Sequence, residues 1–280
     1  MVKNVAVVSL SAGVLGESFA KHELDIGAKR LADYGLNVRF MPHALAGIEY
    51  IKNHPEDRAA DLLAAFRDPE IDLILCAIGG DDTYRLAPYL FETGALQRAV
   101  TQKPFLGFSD TTIDHFMLRK VGLPTFYGQA FLPDVCELSR TMLPYTRQYF
   151  EELLTTGRIR CIRPSDTVYE SRKDFGESQL GTPLAAKKLG GFRLLQGSGQ
   201  FSGEILGGCI DSIFDMFDPS RYADMPEICR KYGLFPPKEE WQGRILLLES
   251  SEEQMAPRRT ARVPRGRPRS RESQWARQEE

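Results

Sequence analysis

Lys103-Pro104-Phe105-Leu106-Gly107-Phe108-Ser109-Asp110-Thr111-Thr112 joins a strand-like run to a helix-like one. A short apolar run ends in a glycine and then a serine, after which Ile113, Phe116, Met117 and Leu118 recur at helical spacing. Strand, tight turn and helix make the layout in which an α/β protein lifts a serine out of its sheet. Upstream, Ile71-Asp72-Leu73-Ile74-Leu75-Cys76-Ala77-Ile78 reads as a buried strand. It runs into Gly79-Gly80-Asp81-Asp82 and a further helix through Tyr84, Leu86, Leu90 and Phe91. Residues 5–8 and 37–40 read as two more strands. Helices are expected over residues 18–34, stopped by Gly35, and over residues 56–66. Strands alternating with helices predict an α/β fold, a Rossmann-like parallel sheet covered on both faces. Functional groups in such sheets gather at the carboxyl ends of strands, where Gly79-Gly80 and Ser109 both fall.

The pattern changes near residue 160. Residues 160–199 are polar and glycine-rich, Gly203-Glu204-Ile205-Leu206-Gly207-Gly208-Cys209 reads as a strand entering a turn, and residues 211–217 look helical. Trp241-Gln242-Gly243-Arg244-Ile245-Leu246-Leu247-Leu248-Glu249 reads as a buried strand ending in a carboxylate. The chain thus divides into a Rossmann-like nucleophile domain at 1–160, a connecting segment at 161–190, a smaller β-rich C-terminal domain at 191–256, and a tail at 257–280. Ser250-Ser251-Glu252-Glu253 has the capping-box spacing of a new helix. Three prolines and no apolar period follow, so the tail reads as disordered.

Composition narrows the class. With 280 residues, 42% of them hydrophobic and 26% charged, the chain fits a water-soluble globular protein with ample core volume. No apolar run approaches the ~18–20 residues of a membrane span. The N-terminus enters a strand without a signal-peptide layout. Five scattered cysteines form neither a disulfide framework nor a CxxC metal site, so a reducing cytoplasm is the expected location. The tail from Pro257 holds eight Arg and three Glu, a net of +5 against −2 for the whole chain, so the body carries −7. An acidic body is no general nucleic-acid surface, and neither nucleic acid nor membrane is expected as a partner.

Three features carry chemistry. Ser109 has glycine two residues before it but Thr111 where a GxSxG elbow has its second glycine. It reads either as a nucleophile or as the N-cap of the following helix. Gly79-Gly80-Asp81-Asp82-Thr83 lets backbone amides approach a ligand. It is also similar to the GGDGT phosphate loop of NAD kinases and lipid kinases, with Asp82 in place of the third glycine. A nucleotide-binding, kinase-like protein is therefore the alternative reading, in which Asp81→Ala abolishes ATP binding. Glu249 either orients an imidazole or merely precedes a helix cap. The histidines are His22, His43, His54 and His115, and none follows Glu249. His115 lies six residues past Ser109 on the next helix, pointing away from the expected site.

Taken together, the blocks 77–82, 107–112, Phe126-Tyr127-Gly128-Gln129, 205–209 and 245–253 resemble the LD-carboxypeptidase family, in the branch that contains the microcin C immunity proteins. The resemblance implies a serine carboxypeptidase that cuts an amide bond near a free carboxyl terminus, in murein tetrapeptides or peptidyl-nucleotide antibiotics. It implies a Ser-Glu-His triad, with Ser109 as nucleophile and Glu249 as the glutamate. It also implies oxyanion donors at the backbone N–H groups of Gly80 and Asp110, no metal or cofactor, and a homodimer. Family members continue past the 245–253 block to a late Gly-His motif that supplies the histidine. Here the similarity stops near residue 256. The resemblance therefore implies an incomplete C-terminal domain, impaired activity, and a strand at 245–248 without sheet partners. The Arg/Pro tail has the composition of a shifted reading frame; its rival is a genuine basic extension. A non-catalytic binding remnant is the third functional reading.

Overall fold

The structure is a computed structural model that describes residues 2–251. The Arg/Pro-rich tail and the helix expected after Ser250 lie outside these residues. In chain order the first part runs β1 (Asn4–Val8), α1 (Lys21–Asp33), β2 (Asn37–Phe40), α2 (Ile48–Asn53), α3 (Pro55–Arg67), β3 (Leu73–Cys76), α4 (Ala87–Phe91) and α5 (Ala95–Ala99). It continues through β4 (Phe105–Gly107), α6 (Thr112–Lys120), β5 (Phe126–Tyr127) and α7 (Pro144–Thr156). The five strands form one parallel sheet in the order β2-β1-β3-β4-β5. The order reverses between β1 and β3, and the loops that leave these two strands meet at the carboxyl edge, where the Ala12 N–H donates to Gly79 O at 3.1 Å.

Side-chain alternation divides the core. Val5, Val7, Leu73, Leu75 and Leu106 point to one face and meet Leu31 of α1 and Phe150 and Leu153 of α7. Ala6, Val8, Ile74, Cys76 and Phe105 point to the other and meet α3 and α6. Strands buried on both faces read as continuous apolar runs, as these do. Helices α2 and α7 were not expected from the sequence. Helix α7 begins on Pro144, closes on a left-handed Gly157, and buries Tyr149, Phe150, Leu153 and Leu154 along one stripe.

The second part contains β6 (Thr167–Tyr169), β7 (Ala186–Lys188), β8 (Ile205–Cys209), α8 (Ile210–Asp215), α9 (Met225–Lys231) and β9 (Ile245–Glu249). Strands β6 and β7 pair antiparallel, and β8 and β9 pair parallel. Leu206, Ile213, Met225, Cys229 and Leu234 share the core on the α3–α6 side of the sheet. Two expectations for the last strand are corrected. Strand β9 is not buried, since Leu246 is 54% exposed and Leu247 and Leu248 also face outward. Nor is it unpartnered, because it pairs with β8 along its length, from Ile205↔Ile245 to Cys209↔Glu249. An apolar run signals β-propensity; which face it buries depends on the neighbours that the fold supplies. Among the described residues no helix is long and apolar enough to cross a membrane.

Candidate active site

Ser109 leaves β4 in a backbone conformation that the other described non-glycine residues avoid, with φ of 61°. A left-handed serine costs on the order of 1–3 kcal/mol and persists only where its surroundings fix it. Here they do. The Ser109 N–H donates to the Tyr127 hydroxyl at 3.1 Å, and the Thr112 hydroxyl donates to Ser109 O at 2.6 Å. Thr111, which replaces the second elbow glycine, is fully buried and donates its hydroxyl to Phe108 O at 2.8 Å. Two glycines are required by close approach. A Cβ on Gly107 would sit 2.5 Å from Thr111 Oγ1, and one on Gly79 would sit 2.8 Å from Ser109 Cβ and 3.4 Å from Asp110 N. The 79–80 loop therefore lies directly against the serine and the amide that follows it. The N-cap alternative is not what the structure shows, because no side-chain cap bond is made by the residues that open the turn and the helix after it.

Behind the serine, buried polar groups tie three strand-end loops together. Asp110 Oδ2 accepts from Ser11 Oγ at 2.6 Å, from Thr83 N at 2.9 Å and from Thr83 Oγ1 at 2.6 Å. Burial pushes the Asp110 carboxyl above its usual range, and the Ser11 and Thr83 hydrogen bonds oppose that shift. Arg58 of α3 is completely buried and donates to Asp82 Oδ1 at 2.6 Å, Leu10 O at 3.2 Å and Ser11 O at 3.3 Å. Asp82, the residue that spoils the phosphate-loop pattern, thus turns inward as a structural partner of Arg58. Thr83 stood at the end of the 79–83 block without a role of its own, and nothing in the sequence pattern marked Arg58 or Ser11.

Glu249 closes the arrangement from the second part of the chain. Its position is set by the β8–β9 register, which puts it opposite Cys209, and the Cys209 N–H donates to Thr112 Oγ1 at 2.9 Å. The Tyr127 hydroxyl donates to Glu249 Oε1 at 2.6 Å while accepting from Ser109 N. One phenol at the end of β5 therefore links the serine and the glutamate. Burial, then the adjacent Glu249 carboxylate, raises its pKa far above the usual tyrosine value, so it stays a donor. Tyr127 stood in one of the sequence blocks but had no role assigned to it. Its signal was its place at a strand's carboxyl end. Replacing Tyr127 with Phe removes a hydrogen bond to a charged group, and urea unfolding is expected to show a loss of about 1.5–3 kcal/mol. A change below about 0.5 kcal/mol, the range of neutral surface substitutions, would mean that the phenol does not couple the two parts.

No histidine hydrogen-bonds Glu249 among the described residues. His115 lies on α6, as expected, and its ring is fully engaged. Its Nε2 lies 3.0 Å from Gly107 O, so that nitrogen carries the proton, and Nδ1 accepts from the Thr125 hydroxyl at 2.6 Å. Burial pulls its pKa down to about 4, against a weaker upward pull from the Gly107 carbonyl. Neutral His115 therefore contributes stability that is whole above about pH 6.5 and lost as the pH falls towards 4. Asp134, lifted by burial to about 7, acts in the opposite direction over the same interval. The overall stability curve thus mixes the two, and an NMR titration isolates the first. The His115 ring signals are expected to stay flat from pH 8 to 5.5, with a midpoint near 4. A midpoint near 6.5 would contradict this placement.

The structure thus brings a strained serine, a diglycine loop and a strand-end glutamate together at the carboxyl edge of a parallel sheet. Comparison with known proteins assigns the family. A sequence profile for the LD-carboxypeptidase N-terminal domain matches residues 5–128. A crystal structure of an MccF-like protein from Streptococcus pneumoniae in complex with AMP superposes with a TM-score of 0.93 at 57% identity, covering 94% of this chain and 78% of that one. The chain belongs to the LD-carboxypeptidase family. Among curated relatives, a putative carboxypeptidase of Streptomyces coelicolor is 38% identical over 44% of this chain and 39% of its own length. The microcin C7 self-immunity protein MccF of Escherichia coli is 28% identical over 72% of this chain and 53% of its own length. The chain thus spans between a third and about half of the length of these curated relatives.

Proposed function

We propose that the chain carries the nucleophile half of a serine carboxypeptidase of the MccF type, acting on an acyl or peptidyl linkage close to a free carboxylate. The observation that carries this reading is the pairing of a left-handed Ser109 with Glu249 through a single hydroxyl, that of Tyr127. In the proposed reaction Ser109 Oγ attacks the scissile carbonyl and passes its proton to an imidazole. Glu249 orients that imidazole through Oε2, since Oε1 is taken by Tyr127. The N–H groups of Gly80 and Asp110 receive the oxyanion, collapse expels the amine with the transferred proton, and water then hydrolyses the acyl-serine. No metal or cofactor enters this scheme.

The imidazole is the part that this chain does not provide. His115 is occupied by Gly107 and Thr125, and His22 bonds Phe175 O at 2.7 Å. His43 and His54 sit beside α3, and the sequence after Glu249 has no histidine. The proposal therefore includes impaired turnover of the 280-residue chain. A nucleotide-bearing substrate is favoured over a murein tetrapeptide, because the MccF-like protein from S. pneumoniae, at 57% identity, was crystallised with AMP. The test is equilibrium binding of the chain to AMP, an aminoacyl sulfamoyl nucleotide and a murein tetrapeptide. Tighter binding of the aminoacyl nucleotide than of the tetrapeptide supports the substrate class, and the reverse order transfers it to murein peptides. Binding that stays without turnover when a triad histidine is restored would leave a binding remnant, with no hydrolase.

A further inference from the structure

The corner between α2 and α3 holds a cluster of ligand-type side chains that the proposed reaction does not use. His54 ends α2, Pro55 starts α3, and Glu56 and Asp57 occupy its first turn. His54, Glu56 and Asp57 each present a ligand atom, and these atoms lie within 4.8 Å of one another. A fourth group faces them from the loop after β2. His43 Nε2 stands 3.8 Å from Asp57 Oδ2.

The orientation of His43 is the informative feature. Asp61, one turn along α3, is nearly buried and takes both the His43 backbone N–H at 2.9 Å and the ring Nδ1 at 2.9 Å. A carboxylate that binds Nδ1 fixes the proton there and leaves the Nε2 lone pair aimed at Asp57. Carboxylate-oriented imidazoles of this kind recur behind protein-bound metal ions. On the other side, the Tyr50 hydroxyl donates to Asp57 Oδ2 at 2.6 Å. The Tyr50 ring stacks with His54 at 4.2 Å and with His43 at 5.9 Å between centroids. Asp61 thus holds His43 and Tyr50 holds Asp57, while His54 Nδ1 and Glu56 Oε1 lie 3.0 Å apart and orient each other. An imidazole lone pair and a carboxylate oxygen that face each other at 3.8 Å can share a cation, either a metal ion or a proton. Bonds of about 2.0–2.2 Å from a tetrahedral ion would bring the two within about 3.5 Å, a small closure for half-exposed side chains.

We propose that His43, His54, Glu56 and Asp57 form a binding site for a divalent transition-metal ion of the zinc type, with Asp61 and Tyr50 as its orienting partners. The donor set of nitrogen and oxygen atoms excludes the thiolate preference of copper(I) and is poorer in oxygen than magnesium or calcium sites. The positive end of α3 opposes the ion and places the affinity well below that of structural zinc sites. The same helix carries Arg58, which clamps the loops behind Ser109. The Arg58 backbone N–H also donates to His54 O at 3.3 Å, but among the described residues the side chains of the four candidate ligands make no hydrogen bond to Ser109, Asp110, Tyr127 or Glu249.

The test uses the full 280-residue chain, freed of metal by a chelator, titrated with Co²⁺ and then competed with Zn²⁺. One equivalent of Co²⁺ is expected to bind, with the visible d–d bands of nitrogen and oxygen ligation and no thiolate charge-transfer band, and Zn²⁺ is expected to displace it. His54→Gln and Asp57→Asn are each expected to weaken binding by about ten-fold or more. Asp61→Asn, which only frees the His43 ring, is expected to weaken it by roughly 10–100-fold. Cys161→Ser, at the exposed thiol, is expected to change nothing. Absence of saturable binding would overturn the site and leave a proton between His43 and Asp57. So would binding that survives both ligand variants, or binding that is lost with Cys161.

Discussion

Joined to the C-terminal part of a relative that supplies a triad histidine, the chain is expected to hydrolyse its substrate on the order of 10⁴–10⁶-fold faster than the 280-residue chain does. That factor is the scale seen when the base of a serine triad is removed, because an unassisted serine hydroxyl is a poor nucleophile at neutral pH. The gain is expected in kcat rather than in KM, since Tyr127 already joins Ser109 to Glu249 and Gly79 already packs against Ser109. Glu249→Gln in the joined chain is expected to cost much of the gain, because the imidazole then loses the carboxylate that orients it. Equal rates with and without the added histidine would show that the base lies elsewhere.

Arg58→Met is expected to destabilise the fold by about 3–5 kcal/mol, the cost of leaving a buried carboxylate without its partner. Arg58 is 0% and Asp82 4% exposed, so little water reaches either group. Arg85 Nε, at 3.9 Å from Asp82 Oδ2, is too distant to replace the lost hydrogen bonds. Asp82→Leu leaves the complementary charge stranded and is expected to cost a similar amount. The double variant is expected to lose far less than the two losses added together, since a buried pair replaced by apolar groups is close to neutral. Denaturant unfolding of the four proteins measures this. Additive losses would show that Arg58 acts through Leu10 O and Ser11 O instead of Asp82.

The parts of the fold legible in sequence are those in which one local signal suffices. The apolar runs that became β1, β3 and β4 and the helix stripes of α1, α3 and α6 all follow from periodicity and terminating glycines or prolines. Ser109 was legible as a turn serine and Gly79-Gly80 as a place where a ligand could come close, whereas the packing of Gly79 on Ser109 and of Gly107 on Thr111 shows only in the structure. What was illegible depends on long-range company. Tyr127 lies on a two-residue strand, too short for any period, and its role exists only because Glu249 arrives 122 residues later. Arg58 sits among Glu56, Asp57 and Asp61 on a helix whose charges read as a solvated face, yet it is fully buried. Strand β9 shows the converse error. Four apolar residues suggested burial, and β8 pairs with it at the surface.

If Ser109 is the nucleophile, Ser109→Ala abolishes turnover in the histidine-restored chain. The measurement is release of the terminal residue from an aminoacyl sulfamoyl nucleotide and from a murein tetrapeptide, with the parent beside the variant. Turnover is expected to fall by on the order of 10⁴–10⁶-fold with ligand binding retained, because alanine removes the attacking oxygen and leaves the surrounding groups in place. Turnover in Ser109→Ala equal to that of the parent would contradict it.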